Sequence, residues 1–168
     1  MSPNNMTPVD WAKRPILEKY ADFNGRAPRA EYWWYALGLI IVAIVLSIVE
    51  GALGLKGMIL GIYGPLTALF WLATIVPGLA VGTRRLHDTN RSGLWLLLMI
   101  PYLITLVIAM RAMTSGDFAA IGTAGLLSLL GLALCLVLLV FMVLPSSPGE
   151  NRYGPNPYGE SAGAVATE

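Results

Sequence analysis

Residues 34–53 read WYALGLIIVAIVLSIVEGAL, with Glu50 as the only charged side chain in 20 positions. A strand would alternate apolar with polar, and this stretch does not. About 20 apolar residues are what an α-helix needs to cross roughly 30 Å of hydrocarbon, so the stretch reads as a transmembrane helix. Three more runs follow, and together Trp34–Leu53, Met58–Val81, Leu94–Met110 and Ile121–Leu144 hold 20, 24, 17 and 24 residues. The third is short but extends at the interface through Gly93 or Arg111. A barrel is excluded because none of the runs shows the dyad period of lipid-facing strands. The expected fold is all-α: a polytopic membrane protein with a four-helix transmembrane bundle.

Composition agrees. Apolar residues make up 56% of the 168 and charged ones only 12%, where soluble domains carry roughly 25% charge. The net charge of +1 provides no global field for nucleic acid. One cysteine, Cys135, and one histidine, His87, exclude an intrachain disulfide and a nitrogen/sulfur metal centre. No metal or other cofactor is expected, and Cys135 reads as a packing residue. Thirty-three mostly polar residues precede the first run, so no cleavable signal is expected.

The basic residues orient the chain. Lys13, Arg14, Lys19, Arg26, Arg29, Arg84, Arg85, Arg91 and Arg152 lie on one side of the four runs, and Lys56 and Arg111 on the other. By the positive-inside bias both termini and the central loop are cytoplasmic. Three regions follow: a cytoplasmic segment 1–33, a transmembrane domain 34–144 and a cytoplasmic tail 145–168. Within 1–33, Pro15–Ala21 reads as a short interfacial helix presenting Ile16, Leu17 and Tyr20, with Trp11 ahead of it. The prolines and glycines of the tail predict turns rather than helix, and Ser161–Glu168 reads as disordered.

Inside the spans, Pro65, Pro77 and Pro101 are expected to bend their helices. The short turn Gly54–Gly57 implies that spans one and two are antiparallel neighbours. Gly57 with Gly61 and Gly78 with Gly82 offer small-residue approaches for another helix. Glu50, near Lys56, reads as an interfacial residue whose carboxylate reaches headgroup water. With no other acidic or basic side chain and no histidine inside a span, a self-contained proton or ion relay is not indicated.

The distinctive polar residues concentrate in three segments on the cytoplasmic side: Phe23-Asn24-Gly25-Arg26-Ala27-Pro28-Arg29-Ala30-Glu31-Tyr32-Trp33, Arg84-Arg85-Leu86-His87-Asp88-Thr89-Asn90-Arg91-Ser92-Gly93 and Gly149-Glu150-Asn151-Arg152-Tyr153-Gly154-Pro155-Asn156-Pro157. These segments resemble the signature of a bacterial inner-membrane family called domain of unknown function 805, over about Tyr20 to Pro157. Leu94 stands where that family often has tryptophan, with Trp95 keeping an aromatic beside it. The resemblance implies the topology and the bacterial inner membrane. It implies no activity.

Arg84 and Asp88 are four apart and Arg85 and Asp88 three apart, so a helix continuing past Val81 lets them pair. Glu31 and Asp88 are expected to bind Arg26, Arg29, Arg84 and Arg85 in a charge cluster joining spans one and two, with the tail from Asn151 folding beneath it. Arginines beside a helix start can also receive phosphate, which lipid headgroups supply. The site reading therefore has two parts. Arg26, Arg29, Arg84, Arg85, Arg91 and Arg152 are candidates for lipid or partner binding, and Glu31, His87, Asp88, Asn151 and Tyr153 for the structural cluster. His87 and Asp88 as an acid/base pair is the enzymatic alternative, weakened because adjacent helical residues diverge by about 100°. The function read here is a non-enzymatic inner-membrane protein whose arginine-rich face engages anionic lipid headgroups, a protein partner or a second copy. The rivals are a small oligomeric transporter or channel, and a membrane enzyme acting on a lipid-linked substrate.

Overall fold

The computed structural model describes residues 5–59 and 63–159. Its elements are α1 (Pro8–Leu17), α2 (Arg29–Ala52), α3 (Pro65–Asp88), a 3-10 helix (Gly93–Met99), α4 (Ile100–Ser115) and α5 (Phe118–Val143). The described residues form no β-strand, only the bridges Ile59–Tyr63 and Asn151–Gly154. Four helical stretches are long and apolar enough to cross a membrane: α2, α3, Gly93–Met113 and α5. Leucines and isoleucines on all four are widely exposed, Leu72 and Leu126 at 66% and 72%, as expected of surfaces that face lipid. The most enclosed span is α3, with 33% of its most apolar stretch buried against 6% in the third.

Helix boundaries depart from the sequence reading where local chemistry intervenes. The N-terminal helix starts seven residues earlier than expected. Thr7 caps it, its hydroxyl accepting from the Asp10 amide at 3.2 Å while Asp10 Oδ2 accepts from the Thr7 amide at 2.9 Å. This reciprocal box, with Pro8 in the first turn, sets the start. Those Thr7 bonds hold the Asp10 carboxyl below the usual carboxylate range, so it is charged at neutral pH. Pro65 and Pro101 likewise open α3 and α4 instead of bending them. The link between α2 and α3 is consequently longer than the turn Gly54–Gly57, running from Leu53 to Gly64. Gly61 and Ser161–Glu168 lie outside the described residues.

Pro77 does sit inside α3, where it withholds the amide that would bond to the Ala73 carbonyl. Two tyrosines from outside the helix attend to the gap. Tyr20 Oη donates to Ala73 O at 2.6 Å and Tyr35 Oη to Thr74 O at 3.3 Å. The segment following α1 is thereby tied to the middle of a span. Close approach elsewhere depends on Gly131, where a Cβ would lie 2.8 Å from Tyr102 Cα, so α4 and α5 meet backbone to backbone. Gly78 and Gly82 serve smaller contacts, with Tyr35 and Leu96.

The antiparallel packing of α2 on α3 is pinned at both ends. Glu31 at the start of α2 meets Arg84 at the end of α3, while Glu50 near the end of α2 meets Thr67 at the start of α3. Glu50 is therefore not the water-reaching interfacial residue expected from sequence. It is 1% exposed and accepts from the Thr67 amide at 2.9 Å and the Thr67 hydroxyl at 2.6 Å. The amides of Gly64 and Leu66 also bear on it. Because the first amides of a helix lack internal partners, and Pro65 makes α3 begin here, the carboxylate caps α3 from a neighbouring helix. Gly64 permits this, since a Cβ there would fall 2.2 Å from Glu50 Cδ. Replacing Glu50 with alanine is expected to lower stability by about 1.5–3 kcal/mol, the range for hydrogen bonds to charged groups. Thermal unfolding in detergent measures it, with Ser47→Ala as a neighbouring control.

Candidate functional site

The end of the bundle that carries most of the arginines is organised by the last turn of α3. Arg84, Arg85 and Asp88 are each no more than 1% exposed. Successive positions on a helix point about 100° apart, so Arg84 and Arg85 reach different neighbours. Arg84 turns to α2, its Nη1 donating to Glu31 Oε1 at 2.5 Å. Glu31 Oε2 takes a second bond, from Arg14 Nη1 of α1 at 3.1 Å, so one carboxylate joins three helices. Arg84 Nε and Nη2 have no acceptor among the described residues.

Arg85 turns to α5. Its Nε donates to Met142 O at 3.0 Å and its Nη2 to Leu144 O. The final carbonyls of a helix have no internal donors and carry partial negative charge, so this guanidinium closes the end of α5. Its third contact, from Nη1, is the Asp88 carboxylate.

Asp88 is the centre. Its carboxylate accepts from Arg85, from Arg26 Nε at 3.0 Å and from Ser146 Oγ at 2.5 Å. Its own carbonyl accepts from the Ser147 amide and hydroxyl at 2.9 and 3.1 Å. Arg26 adds Nη1 to Gly149 O at 2.8 Å and Nη2 to Ser147 O at 2.7 Å. The tail thus folds under the cluster through main-chain carbonyls read by one buried arginine. Directly beyond Asp88, α3 stops in a Schellman motif: Asn90 at φ 58°, with the Arg91 amide on Leu86 O and the Asn90 amide on His87 O, both 2.9 Å.

His87 leaves the helix on another side. Its ring stacks on Tyr153 with centroids 3.7 Å apart and planes at 4°, its Nδ1 lies 3.2 Å from Gly25 O, and its carbonyl accepts from Asn151 Nδ2 at 2.9 Å. These contacts fasten the tail. Among the described residues the ring's contacts are Gly25 O and Tyr153, while the Asp88 carboxylate is spent on Arg26, Arg85 and Ser146.

Of the arginines read as lipid or partner contacts, Arg26, Arg84 and Arg85 have their guanidinium groups inside the protein. Arg91 is half-buried over the Phe141 ring, 4.2 Å from its centroid, with Nη1 on Thr89 O at 3.1 Å. Arg152 is exposed, lying over Tyr153 and reaching Asn90 O at 3.3 Å. Arg29 is exposed at the start of α2 and makes no hydrogen bond among the described residues. Beside it the Tyr158 hydroxyl meets the Ala30 amide, and burial pushes that phenol above its ordinary value. Asp88 pairs with Arg85 and Arg26 rather than with Arg84, which Glu31 claims. Ser146, Ser147, Arg14 and Tyr158 are members that the sequence reading did not include. The serines sit at the expected helix end, and that is the signal which could have found them.

Comparison with known proteins gives the family of the chain. The family described as protein of unknown function (DUF805) matches residues 20–155, the span that holds α2 to α5, Arg26 and the folded part of the tail. Inner membrane protein YhaH of Escherichia coli (strain K12) is 34% identical over 150 residues, covering 89% of this chain and 97% of that protein. Inner membrane protein YhaI of the same strain is 36% identical over 144 residues, covering 84% and 91%. No solved structure matches. With four membrane-spanning helices and a match over most of its length, the chain is an integral inner-membrane protein belonging to the DUF805 family.

Proposed function

We propose that this protein is a non-enzymatic inner-membrane protein that holds anionic phospholipid headgroups at its cytoplasmic end through Arg29 and Arg152, with Arg26, Arg84 and Arg85 forming the rigid frame beneath them. The observation that carries the reading is a division of labour among the arginines. Three are buried against two carboxylates, Glu31 and Asp88, which leaves the frame cationic. Arg29 and Arg152 stand outside it, exposed. Arg29 is the more telling of the two, because a cation at a helix start is disfavoured by the macrodipole unless an anion is near. The excess of Lys and Arg at this end supports a cytoplasmic position for both termini, the leaflet side where anionic headgroups attract basic residues.

The test uses the full chain in nanodiscs containing phosphatidylglycerol. A surface arginine contributes about 1 kcal/mol toward an anionic bilayer, so each of Arg29→Gln and Arg152→Gln is expected to lower bound phosphatidylglycerol about fivefold. Unchanged lipid counts by native mass spectrometry in both variants would remove the proposal. Orientation is checked with Glu150→Cys and Lys56→Cys in a Cys135→Ala background. An impermeant thiol reagent added to intact cells is expected to label position 56 only, and labelling at 150 would invert the topology.

A further inference from the structure

Between α2 and α3, at the end away from most of the arginines, runs a slot of about 380 Å³. Ile40, Ala43, Ile44 and Ser47 form one wall, spaced by three and four so that they share a face of α2. Thr67 and Trp71, four apart on α3, form the other, and Lys56 and Tyr63 of the connecting link stand at its mouth. Ile40 and Ile44 remain about half exposed, so the slot opens sideways onto the surface that faces lipid. From Ile40 to Glu50 it follows α2 for about 15 Å, at 1.5 Å per residue, which is half of the roughly 30 Å of hydrocarbon in a bilayer. The slot is as deep as one leaflet.

Two charged groups border it, and they differ in commitment. Glu50 is spent, its oxygens accepting from Thr67 and turned to the first amides of α3. Lys56 is not. It is the only charged side chain of the link from Leu53 to Gly64, it is exposed, and it forms no hydrogen bond or ion pair with another described residue. Tyr63, 41% exposed, adds a hydroxyl at the same end. The walls therefore suit an apolar chain one leaflet long, and the mouth suits a group that accepts from an ammonium and a hydroxyl. A phosphate diester is such a group.

We infer that this slot binds a glycerophospholipid from the leaflet opposite the arginine-rich end, with one acyl chain between α2 and α3 and the phosphate on Lys56 and Tyr63. Recognition is of the phosphate rather than of net charge, because a single lysine meets it. The site shares no residue with Arg29 and Arg152, lies at the other end of the spans, and stands or falls independently of them. A chain in the slot covers the Glu50–Thr67 contact that pins this end of the helix pair. The lipid thus serves the packing of α2 on α3.

The experiment titrates the full chain, stripped of lipid in mild detergent, with phosphatidylcholine brominated on its acyl chains. This lipid presents a phosphate without net charge, so the arginine end gives it no advantage. Binding is read as quenching of tryptophan fluorescence, the slot's share being the part missing in Trp71→Phe, and independently as lipid retained in native mass spectrometry. Quenching is expected to saturate at a single bound lipid, and the matching brominated diacylglycerol, which lacks the phosphate, to bind about fivefold more weakly. Lys56→Gln is expected to weaken phosphatidylcholine about fivefold, the upper value for an exposed charge pair, and to leave diacylglycerol unchanged. Ala43→Leu, which enlarges a side chain of the α2 wall, is expected to weaken both lipids about tenfold by displacing about two methylene groups. Quenching that grows with added lipid without saturating overturns the site. Equal binding of the two lipids by the wild type overturns the phosphate assignment, and wild-type affinity in both Lys56→Gln and Ala43→Leu overturns the inference as a whole.

Discussion

Asp88→Ala is expected to be the most damaging single substitution in this chain, lowering stability by about 3–5 kcal/mol, the range for removing one partner of a buried ion pair. Arg26 and Arg85 would both keep their charge inside the protein with no carboxylate to meet it. Arg85 would retain Met142 O and Leu144 O, and Arg26 its contacts to the tail, so carbonyl dipoles alone would carry two charges. The Ser146 hydroxyl also loses its acceptor. Unfolding in detergent followed by circular dichroism measures the loss. Proteolysis around Asn151 is expected to accelerate in parallel, because the tail loses the Ser146 bond to the Asp88 carboxylate. A variant with wild-type melting and a protected tail would show that Asp88 is not the centre of the assembly.

Glu31→Ala is expected to cost a similar about 3–5 kcal/mol, with a different pattern of rescue. Glu31 supplies the only hydrogen-bond acceptor that Arg84 has among the described residues, whereas Arg14, part-exposed, can turn to Glu18 or to water. Removing the charge on both sides, with Glu31→Leu and Arg84→Met together, is therefore expected to recover most of the loss, since apolar replacement of a buried pair is often neutral or better. A double-mutant cycle decides it. No such two-residue rescue exists for Asp88, whose partners come from three segments of chain. Equal rescue at both sites would mean that the two carboxylates do the same job.

The architecture is legible because span length and apolar content can be read directly from the residues. Four runs gave four membrane-crossing helices, and the concentration of polar residues in three segments anticipated their meeting. The errors cluster where a residue's role is set by a partner far away in sequence. Helical spacing alone would pair Arg84 with Asp88, but of the two carboxylates of the expected cluster it is Glu31, across the helix pair, that takes it. Glu50 was read beside Lys56, its neighbour along the chain, while its true partner is the start of α3. That start is itself displaced from the sequence reading, because Pro65 opens α3 instead of bending a span, as proline favours the first turn. Thr7 and Asp10 form a capping box whose residue types are readable in the sequence, and it sets the start of α1. The carbonyl contacts of Arg26 to the tail could not have been read from residue types at all, as every residue has a carbonyl.

The proline gap in α3 bears on how the molecule is made. A nascent span that enters the bilayer with an open Ala73 carbonyl is a poor solute for lipid, yet Tyr20 leaves the ribosome some fifty residues earlier and is already waiting when α3 arrives. Synthesis order and donor supply agree: the donor in the amino-terminal arm precedes by 53 residues the carbonyl it meets in α3. A chain translated without its first twenty residues would have to insert that helix unaccompanied.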